Sequence, residues 1–281
     1  LRVRRASADR LESLGYSCSG RVVEVGAGVA TFAPGDRVAC AGANRATHSE
    51  LVSVPENLTA HVPDGCEMSG ASSVAIGAIA MQGTRRIDAG LGGHVVVIGL
   101  GLVGLIAVQL LKLAGARVIG LDPDERRVEQ ALGFGIDGGH TDPDEVRRLV
   151  ERATGHMGAD ACLIAASSDD SGMVQTAIEL TRKRGKVVVV GIVGMDLQRD
   201  PLLRNEIDLL VSSSYGPGRY DDGYEEKGRD YPYAYVRWTE KRNMEEYLRL
   251  LAKARVRVDG LAEEYPLESA VEAYSRLEES S

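Results

Sequence analysis

Apolar positions along the chain follow two regimes. Up to about residue 65 they come in short runs cut off by turn residues: residues 21–25 stop at Gly26, the Pro34-Gly35-Asp36 turn precedes residues 37–39, and residues 51–54 run into Pro55, so each run predicts a short strand. From residue 67 onward the runs lengthen and change period. Residues 67–86, rich in Ala, predict a helix; residues 95–98 form an unbroken apolar strand; residues 105–113 make a helix too apolar to be exposed; residues 116–121 make a second buried strand. Helices are expected at 125–132, 144–153 and 172–183, and strands at 159–166, 186–190 and 209–212. Strands that alternate with helices predict an α/β fold with a doubly wound parallel sheet. Past Ser214 the alternation stops. Residues 243–254 carry Met244, Tyr247, Leu248 and Leu251 on one helical face, and residues 265–277 supply a short closing helix.

The junction of the first long strand and helix carries glycines at a telling spacing, Gly99, Gly101 and Gly104. Gly99 permits a tight turn, Gly101 lets the backbone approach a pyrophosphate, and Gly104 lets helix and strand pack closely. With Leu102 and Val103 these residues would hold phosphates at a helix N-terminus, where free N–H groups and the helix dipole favour an anion. Asp122 follows at the end of the second strand, at the distance where this fingerprint places an acid for the ribose 2′-hydroxyl. A carboxylate there accepts from a diol and repels a 2′-phosphate, so the expected cofactor is NAD. Arg127, on the next helix, would cover the adenine or a phosphate unless it is simply solvated. The alternative, a glycine-rich turn with no ligand, fits poorly with a strand before, a helix after and an acid behind.

Composition narrows the class. The 281 residues are 44% hydrophobic and 26% charged, globular values with ample core, and no stretch has the unbroken apolar length of a membrane span. A net charge of −8 argues against a general nucleic-acid surface. Leu1-Arg2-Val3-Arg4-Arg5 is basic with no apolar run behind it, so no secretory leader is expected, and Glu278-Glu279-Ser280-Ser281 reads as a frayed end. Cys18, Cys40, Cys66 and Cys162 are scattered without a C-x-x-C pair, which suits reduced thiols in a cytoplasmic protein rather than a disulfide framework.

Several segments resemble the medium-chain dehydrogenase/reductase superfamily, the zinc-type alcohol dehydrogenases and their relatives. Residues 14–26 (L-G-Y-S-C-S-G-R-V-V-E-V-G) match its G-H-E-x-x-G-x-V-x-x-V-G segment, and Gly35-Asp36-Arg37-Val38 matches its G-D-R-V turn. Residues 49–55 match its A-E-Y-x-x-V-P strand, and Pro266-Leu267-Glu268-Ser269-Ala270 with Ala273-Tyr274 its closing segment. Residues 14–18, 212–220 and 236–244 look like a subgroup often joined to a glucose-fructose-oxidoreductase-like domain. The resemblance implies a GroES-like β-barrel substrate domain beside the Rossmann sheet, with opening strands and a first catalytic ligand ahead of Leu1, so the barrel is expected to be partial. The implied division is a substrate domain over 1–72, an NAD-binding domain over 73–214 and a return to the substrate domain over 215–281. It further implies that Ser167, Gly191, Ile192, Val193, Ser214 and Tyr215 surround the nicotinamide, and that the chain pairs as a homodimer through the apolar strand at 207–212.

Departures from the family pattern bear on mechanism. Tyr16-Ser17 stands where zinc-dependent members carry His-Glu, the following helix reads Ser72-Ser73-Val74-Ala75-Ile76, and the structural lobe is reduced to Cys40-Ala41-Gly42-Ala43-Asn44. None of these supplies a zinc ligand set, so no metal is expected. Charge developing on a substrate oxygen would then be met by a hydrogen-bond donor. Tyr16 is the first candidate, with a core tyrosine as the alternative; His48 is the second, with a structural histidine as the alternative; Tyr215 is the third. Cys18 reads as a buried thiol rather than a nucleophile. Six of the ten tyrosines, Tyr215, Tyr220, Tyr224, Tyr231, Tyr233 and Tyr235, share one polar segment with Trp238. Such rings suit a sugar-binding wall flanked by Asp221, Asp222, Arg229 and Asp230, and they suit an interface equally well. The expected function is hydride transfer between NAD and a small-molecule secondary alcohol or ketone, possible substrates being a sugar, polyol or glycosylated metabolite. The alternatives are a zinc-free quinone or enoyl reductase and a catalytically silent NAD-binding partner.

Overall fold

The computed structural model describes residues 13–279. The basic opening residues and the last two serines, with the expectations drawn on them, lie outside the described residues. The first part is a three-stranded antiparallel sheet of β1 (Ser17–Arg21), β2 (Arg37–Ala41) and β3 (Thr59–His61) in that order. Two helices lead out of it, α1 (Met68–Ala71) and α2 (Val74–Ile87).

The second part runs β4 (His94–Ile98), α3 (Leu102–Leu113), β5 (Arg117–Leu121), α4 (Glu125–Gly133), β6 (Gly138–His140), α5 (Pro143–Thr154), β7 (Ala159–Ile164), α6 (Gly172–Leu180), β8 (Thr181–Val189), α7 (Arg199–Asn205) and β9 (Asp208–Val211). Its strands form one parallel sheet in the order β6-β5-β4-β7-β8-β9. The period-two rule explains why β4 is apolar throughout: Val95 and Val97 face the core shared with α2 and α3, while Val96 and Ile98 face the core shared with α5 and α6. Both faces are therefore covered, as a parallel sheet requires.

The chain then passes through α8 (Asp222–Glu225) to α9 (Glu240–Ala252) and α10 (Ala270–Glu279). α9 packs on α2 where the Tyr247 ring lies against Gly77, whose Cβ would come within 2.3 Å of that ring, and the Tyr247 hydroxyl meets Ser73 Oγ at 2.8 Å. Gln109, buried in α3, accepts from the Arg257 backbone N–H at 2.8 Å and donates to the Arg257 carbonyl at 3.0 Å, which ties the tail to the sheet domain.

Three expected elements differ. The first strand is Ser17–Arg21 rather than 21–25, because Ser17 and Ser19 donate their hydroxyls to the Ser72 and Met68 carbonyls at 2.6 and 2.7 Å, so polar residues sit comfortably in the ladder. Val22 and Val25 instead pack with Val29 and Val54 on the small core of Phe32, Val38, Cys40 and Ala46. Residues 51–54 form no strand, with Leu51 and Val52 exposed. Residues 181–183 open β8 instead of closing α6, since Thr181 pairs with Ala159 while its hydroxyl takes the Ala177 carbonyl. β6, α7 and α8 carry too little apolar pattern to be read. Among the described residues no helix is long and apolar enough to cross a membrane.

Candidate active site

The parallel order reverses between β4 and β7, and the crevice at the carboxyl ends of such strands is where an open α/β sheet takes its ligand. The turn after β4 is shaped by its glycines. Gly99 has φ +88° and donates to the Leu121 carbonyl at 2.8 Å. A Cβ on Gly104 would lie 1.9 Å from the Gly99 carbonyl oxygen, so no other residue fits there. Gly101 caps α3 without a side chain, and a Cβ on it would meet nothing within 4 Å. That open space fronts the first N–H groups of α3, from Leu102, Val103 and Gly104, which have no partner within the helix.

Asp122 closes the turn from the far side. It is buried, its carboxylate accepts from the Leu100 N–H at 2.7 Å and the Asp124 N–H at 2.9 Å, and Arg127 Nη1 stands 3.6 Å away. The sequence assigned Asp122 a ribose contact and gave no sign of this anchoring of the glycine turn. A carboxylate has about four acceptor sites, so two backbone bonds leave room for a diol. Arg127 joins the same corner, with Asp124 as its second, more distant carboxylate at 4.0 Å.

The opposite wall comes from the ends of β7, β8 and β9. A Cβ on Gly191 would lie 1.7 Å from the Ala166 carbonyl oxygen. Ser168 and Val193 bridge in parallel, with the Ser168 N–H on the Ile192 carbonyl at 2.8 Å. Ser167, Ser168, Asp169 and the exposed Ile192 line a hollow of about 140 Å³. Ser214 adopts φ +44°, and the buried Ser212 hydroxyl has no hydrogen-bond partner. Strand ends thus collect Ser167, Gly191, Ile192, Val193 and Ser214 along one side of the crevice.

Tyr16 and Tyr215 are close enough that a negative charge on Tyr16 would raise the Tyr215 pKa. Burial lifts both above the ordinary phenol range, with the nearby Arg219 guanidinium pulling Tyr215 partly back. Both are neutral O–H groups at neutral pH, suited to donate a hydrogen bond rather than to act as bases. His48 is exposed. Its ring lies over Gly15, where a Cβ would come within 2.3 Å, and its Nδ1 meets the Tyr274 hydroxyl at 2.5 Å. The structure thus brings His48 to the residue beside Tyr16, held by a partner on α10 that the sequence did not suggest.

The tyrosine-rich segment divides by burial. Tyr215 and Tyr224 are buried, while Tyr220, Tyr233 and Tyr235 are exposed. Its rings are occupied by arginines: Arg219 lies 4.1 Å from the Tyr220 ring, and Trp238 carries Arg85 at 3.3 Å and Arg237 at 3.7 Å. Asp221 caps α8 and takes the Tyr231 hydroxyl, and Asp230 pairs with Arg242. Beneath this segment sits Glu240, fully buried with neither carboxylate oxygen hydrogen-bonded. Burial first, then the charge of Glu225, push its pKa up to about 8 against the opposing pull of Arg219. A charged residue at the start of a helix gave no sequence signal of such burial.

Among the described residues no three His, Cys, Asp or Glu side chains converge on a point that would hold a metal. Ser17, where the resemblance places a zinc ligand, has its hydroxyl fixed between the Ser72 carbonyl at 2.6 Å and the Ala75 N–H at 3.1 Å. These residues do not fit zinc.

Residues 103–226 match a family model described as a zinc-binding dehydrogenase. The chain is 28% identical over 246 residues to a sorbitol dehydrogenase of Halalkalibacterium halodurans, covering 74% of this chain and 70% of that protein. It is likewise 28% identical over 257 residues to the D-guloside 3-dehydrogenase of Escherichia coli K12, covering 88% and 68%. Its fold superposes on the alcohol dehydrogenase TADH from Thermus sp. ATN1 with a TM-score of 0.74 at 20% identity, over 95% of this chain and 81% of that one. The glycine turn, the six-stranded parallel sheet and these matches make the chain similar to the zinc-type alcohol dehydrogenases of the medium-chain dehydrogenase/reductase superfamily.

Proposed function

We propose that this chain is an NAD-linked oxidoreductase that moves hydride between the nicotinamide and a secondary alcohol or its ketone on a polyhydroxylated substrate, without a catalytic zinc. The observation that carries the reading is the phosphate cradle: Gly104 locked against Gly99, Gly101 open toward the crevice and an anchored carboxylate at Asp122. The family and the names of the sorbitol and D-guloside relatives support the substrate class. The donor set argues for the absence of zinc.

The bound nicotinamide supplies the hydride acceptor or donor. Gly99, Gly101, Leu102, Val103 and Gly104 hold the pyrophosphate on the N-terminus of α3, Asp122 holds the adenosine ribose with Arg127 beside it, and Ser167, Gly191, Ile192, Val193 and Ser214 flank the nicotinamide. Tyr16 donates its hydroxyl hydrogen bond to the substrate oxygen where charge develops, with Tyr215 beside it and His48 placed to pass a proton toward Tyr274 and solvent. Two such chains pair through β9, the edge strand of the sheet, whose Val211 is 61% exposed.

Calorimetric titration is expected to give NAD at least about 10-fold tighter binding than NADP, because a 2′-phosphate meets Asp122 with like charge. Tyr16→Phe is expected to lower kcat on polyols by roughly 10²–10⁴-fold while leaving NAD affinity nearly unchanged. Tighter NADP binding, turnover of quinones in place of alcohols, activity lost to a chelator, or full activity of the Phe variant would each overturn its part of the assignment. Sedimentation of the pure protein at twice the 30.0 kDa chain mass tests the pairing.

A further inference from the structure

Two of the four cysteines face one another. β1 and β2 run antiparallel in a register that sets Cys18 directly opposite Cys40. Residues opposite one another in such a ladder leave the same face of the sheet, and both side chains enter the small core of Phe32, Val38 and Ala46. The thiols are near enough to shift each other's ionisation.

The ladder also fixes their spacing. The Gly42 N–H donates to the Tyr16 carbonyl at 2.9 Å and the Val22 N–H to the Asp36 carbonyl at 3.0 Å, so hydrogen-bonded pairs fall at every second position and include Cys18 with Cys40. Such pairs stand about 5.5 Å apart at Cα, inside the roughly 4.4–6.8 Å that a disulfide spans, but their Cβ atoms are also about 5.5 Å apart and must close to about 4.5 Å or less, so the bond forms with a small shift of the two strands toward each other.

The two thiols are not equivalent. Cys18 is half-buried and reachable, whereas Cys40 is buried behind it with the Thr59 hydroxyl 3.7 Å from its sulfur. The neighbouring Cys40 thiol favours a thiolate on Cys18 and lowers its pKa, while Cys40 itself is held well above the ordinary thiol value. Cys66 instead bonds the Glu67 carbonyl, and Cys162 lies inside the parallel sheet accepting from Thr181.

We propose that Cys18 and Cys40 form a peroxide-responsive dithiol that closes into a cross-strand disulfide between β1 and β2. The Cys18 thiolate attacks one oxygen of hydrogen peroxide, the O–O bond breaks, and the departing hydroxide takes a proton to leave as water, giving a sulfenic acid on Cys18. The Cys40 sulfur then attacks the Cys18 sulfur, the S–O bond breaks, and the Cys40 proton leaves with the hydroxyl as a second water. In sum two thiols and one peroxide become one disulfide and two waters. The bond would tie the strand that begins one residue after Tyr16 to the strand that leads into Gly42, and it requires no substrate in the crevice.

The test uses the whole chain treated with a small excess of hydrogen peroxide, blocked with N-ethylmaleimide under denaturant, and digested with trypsin. The expected product links the peptide ending at Arg21 to the peptide ending at Arg45, with two thiols lost, Cys66 and Cys162 still alkylated, and full reversal by dithiothreitol. In Cys40→Ala, dimedone is expected to trap a sulfenic acid on Cys18; in Cys18→Ala, peroxide is expected to consume thiols at least about 10-fold more slowly, since the reachable thiolate is gone. Circular dichroism confirms that both variants are folded, and the wild-type peptide map stands without them. A disulfide to Cys66 or Cys162, sulfinic acid on Cys18 with Cys40 still free, or no thiol loss overturns the proposal.

Discussion

Around the Gly99–Gly104 turn the chain is fixed by backbone sterics, and the one buried carboxylate, Asp122, accepts two backbone N–H groups. Across the crevice, from Ser212 to Glu240, the chain is fixed by rings and ions, and the buried polar atoms Ser212 Oγ, Arg219 Nε and both Glu240 oxygens have no hydrogen-bond partner. The first wall is set by backbone contacts and asks little of particular side chains. The second holds groups whose burial is costly unless something satisfies them. The contrast sets backbone-determined geometry on the sheet against side-chain-determined geometry on the tyrosine-rich segment.

The strongest way to break the contrast is at its steric end. Gly104→Ala puts a Cβ 1.9 Å from a backbone oxygen, an overlap that no rotamer relieves. We expect a loss of about 3 kcal/mol or more in urea unfolding, together with loss of dinucleotide binding. Gly101→Ala is the companion test, because its Cβ enters open space at the cap of α3. Stability should change by less than about 1 kcal/mol while dinucleotide affinity falls by about 10-fold or more. Equal effects at the two positions would mean that the turn is not shaped for a ligand.

The polar end is probed by pH. Glu240 has a pKa near 8 in the folded chain against 4.5 when unfolded, so between those values the native state holds a proton that the unfolded state has lost. Stability from this group is therefore full below about pH 4.5 and declines as pH rises through 8. Glu240→Gln removes the ionisation, and we expect it to be more stable than the wild type by roughly 2–4 kcal/mol at pH 9 and similar to it at pH 5. Urea midpoints measured across that range check the sign. A variant less stable at pH 9 would show that the ionised carboxylate is held by a favourable partner.

The same contrast explains what was legible in the sequence. The glycine spacing and the apolar runs of β4, α3 and β5 made the turn and its strand–helix–strand frame legible, because backbone approach and two-faced burial leave few residue choices. The opposite wall depends on which side chains meet across long separations. Tyr274 reaches His48, Asn243 reaches Tyr215 and Arg85, and Glu240 lies under Arg219; none of these pairings leaves a local pattern. β1 was misplaced for a related reason. Ser17 and Ser19 look like turn residues until α1 and the residues after it supply carbonyls for their hydroxyls.

The smallest effect sharpens the comparison within the ionic wall itself. Arg219 and Glu225 pair at 2.5 Å with side chains only 12% exposed, whereas Arg45 and Glu226 pair at 2.6 Å with 41% and 42% exposed. The second pair links the N-terminal sheet region to the tyrosine-rich segment, and on distance alone the two would count alike. Solvent separates them: exposed charges are screened and their long side chains lose freedom on pairing, so such a pair contributes about 0–1 kcal/mol. Arg45→Met should therefore cost no more than about 0.5 kcal/mol, and a double-mutant cycle with Glu226→Gln should give a coupling that vanishes in about 1 M salt. A coupling well above 1 kcal/mol that survives high salt would mean that this link is shielded from water, and that the segment is docked on the substrate side more firmly than its exposed rings suggest.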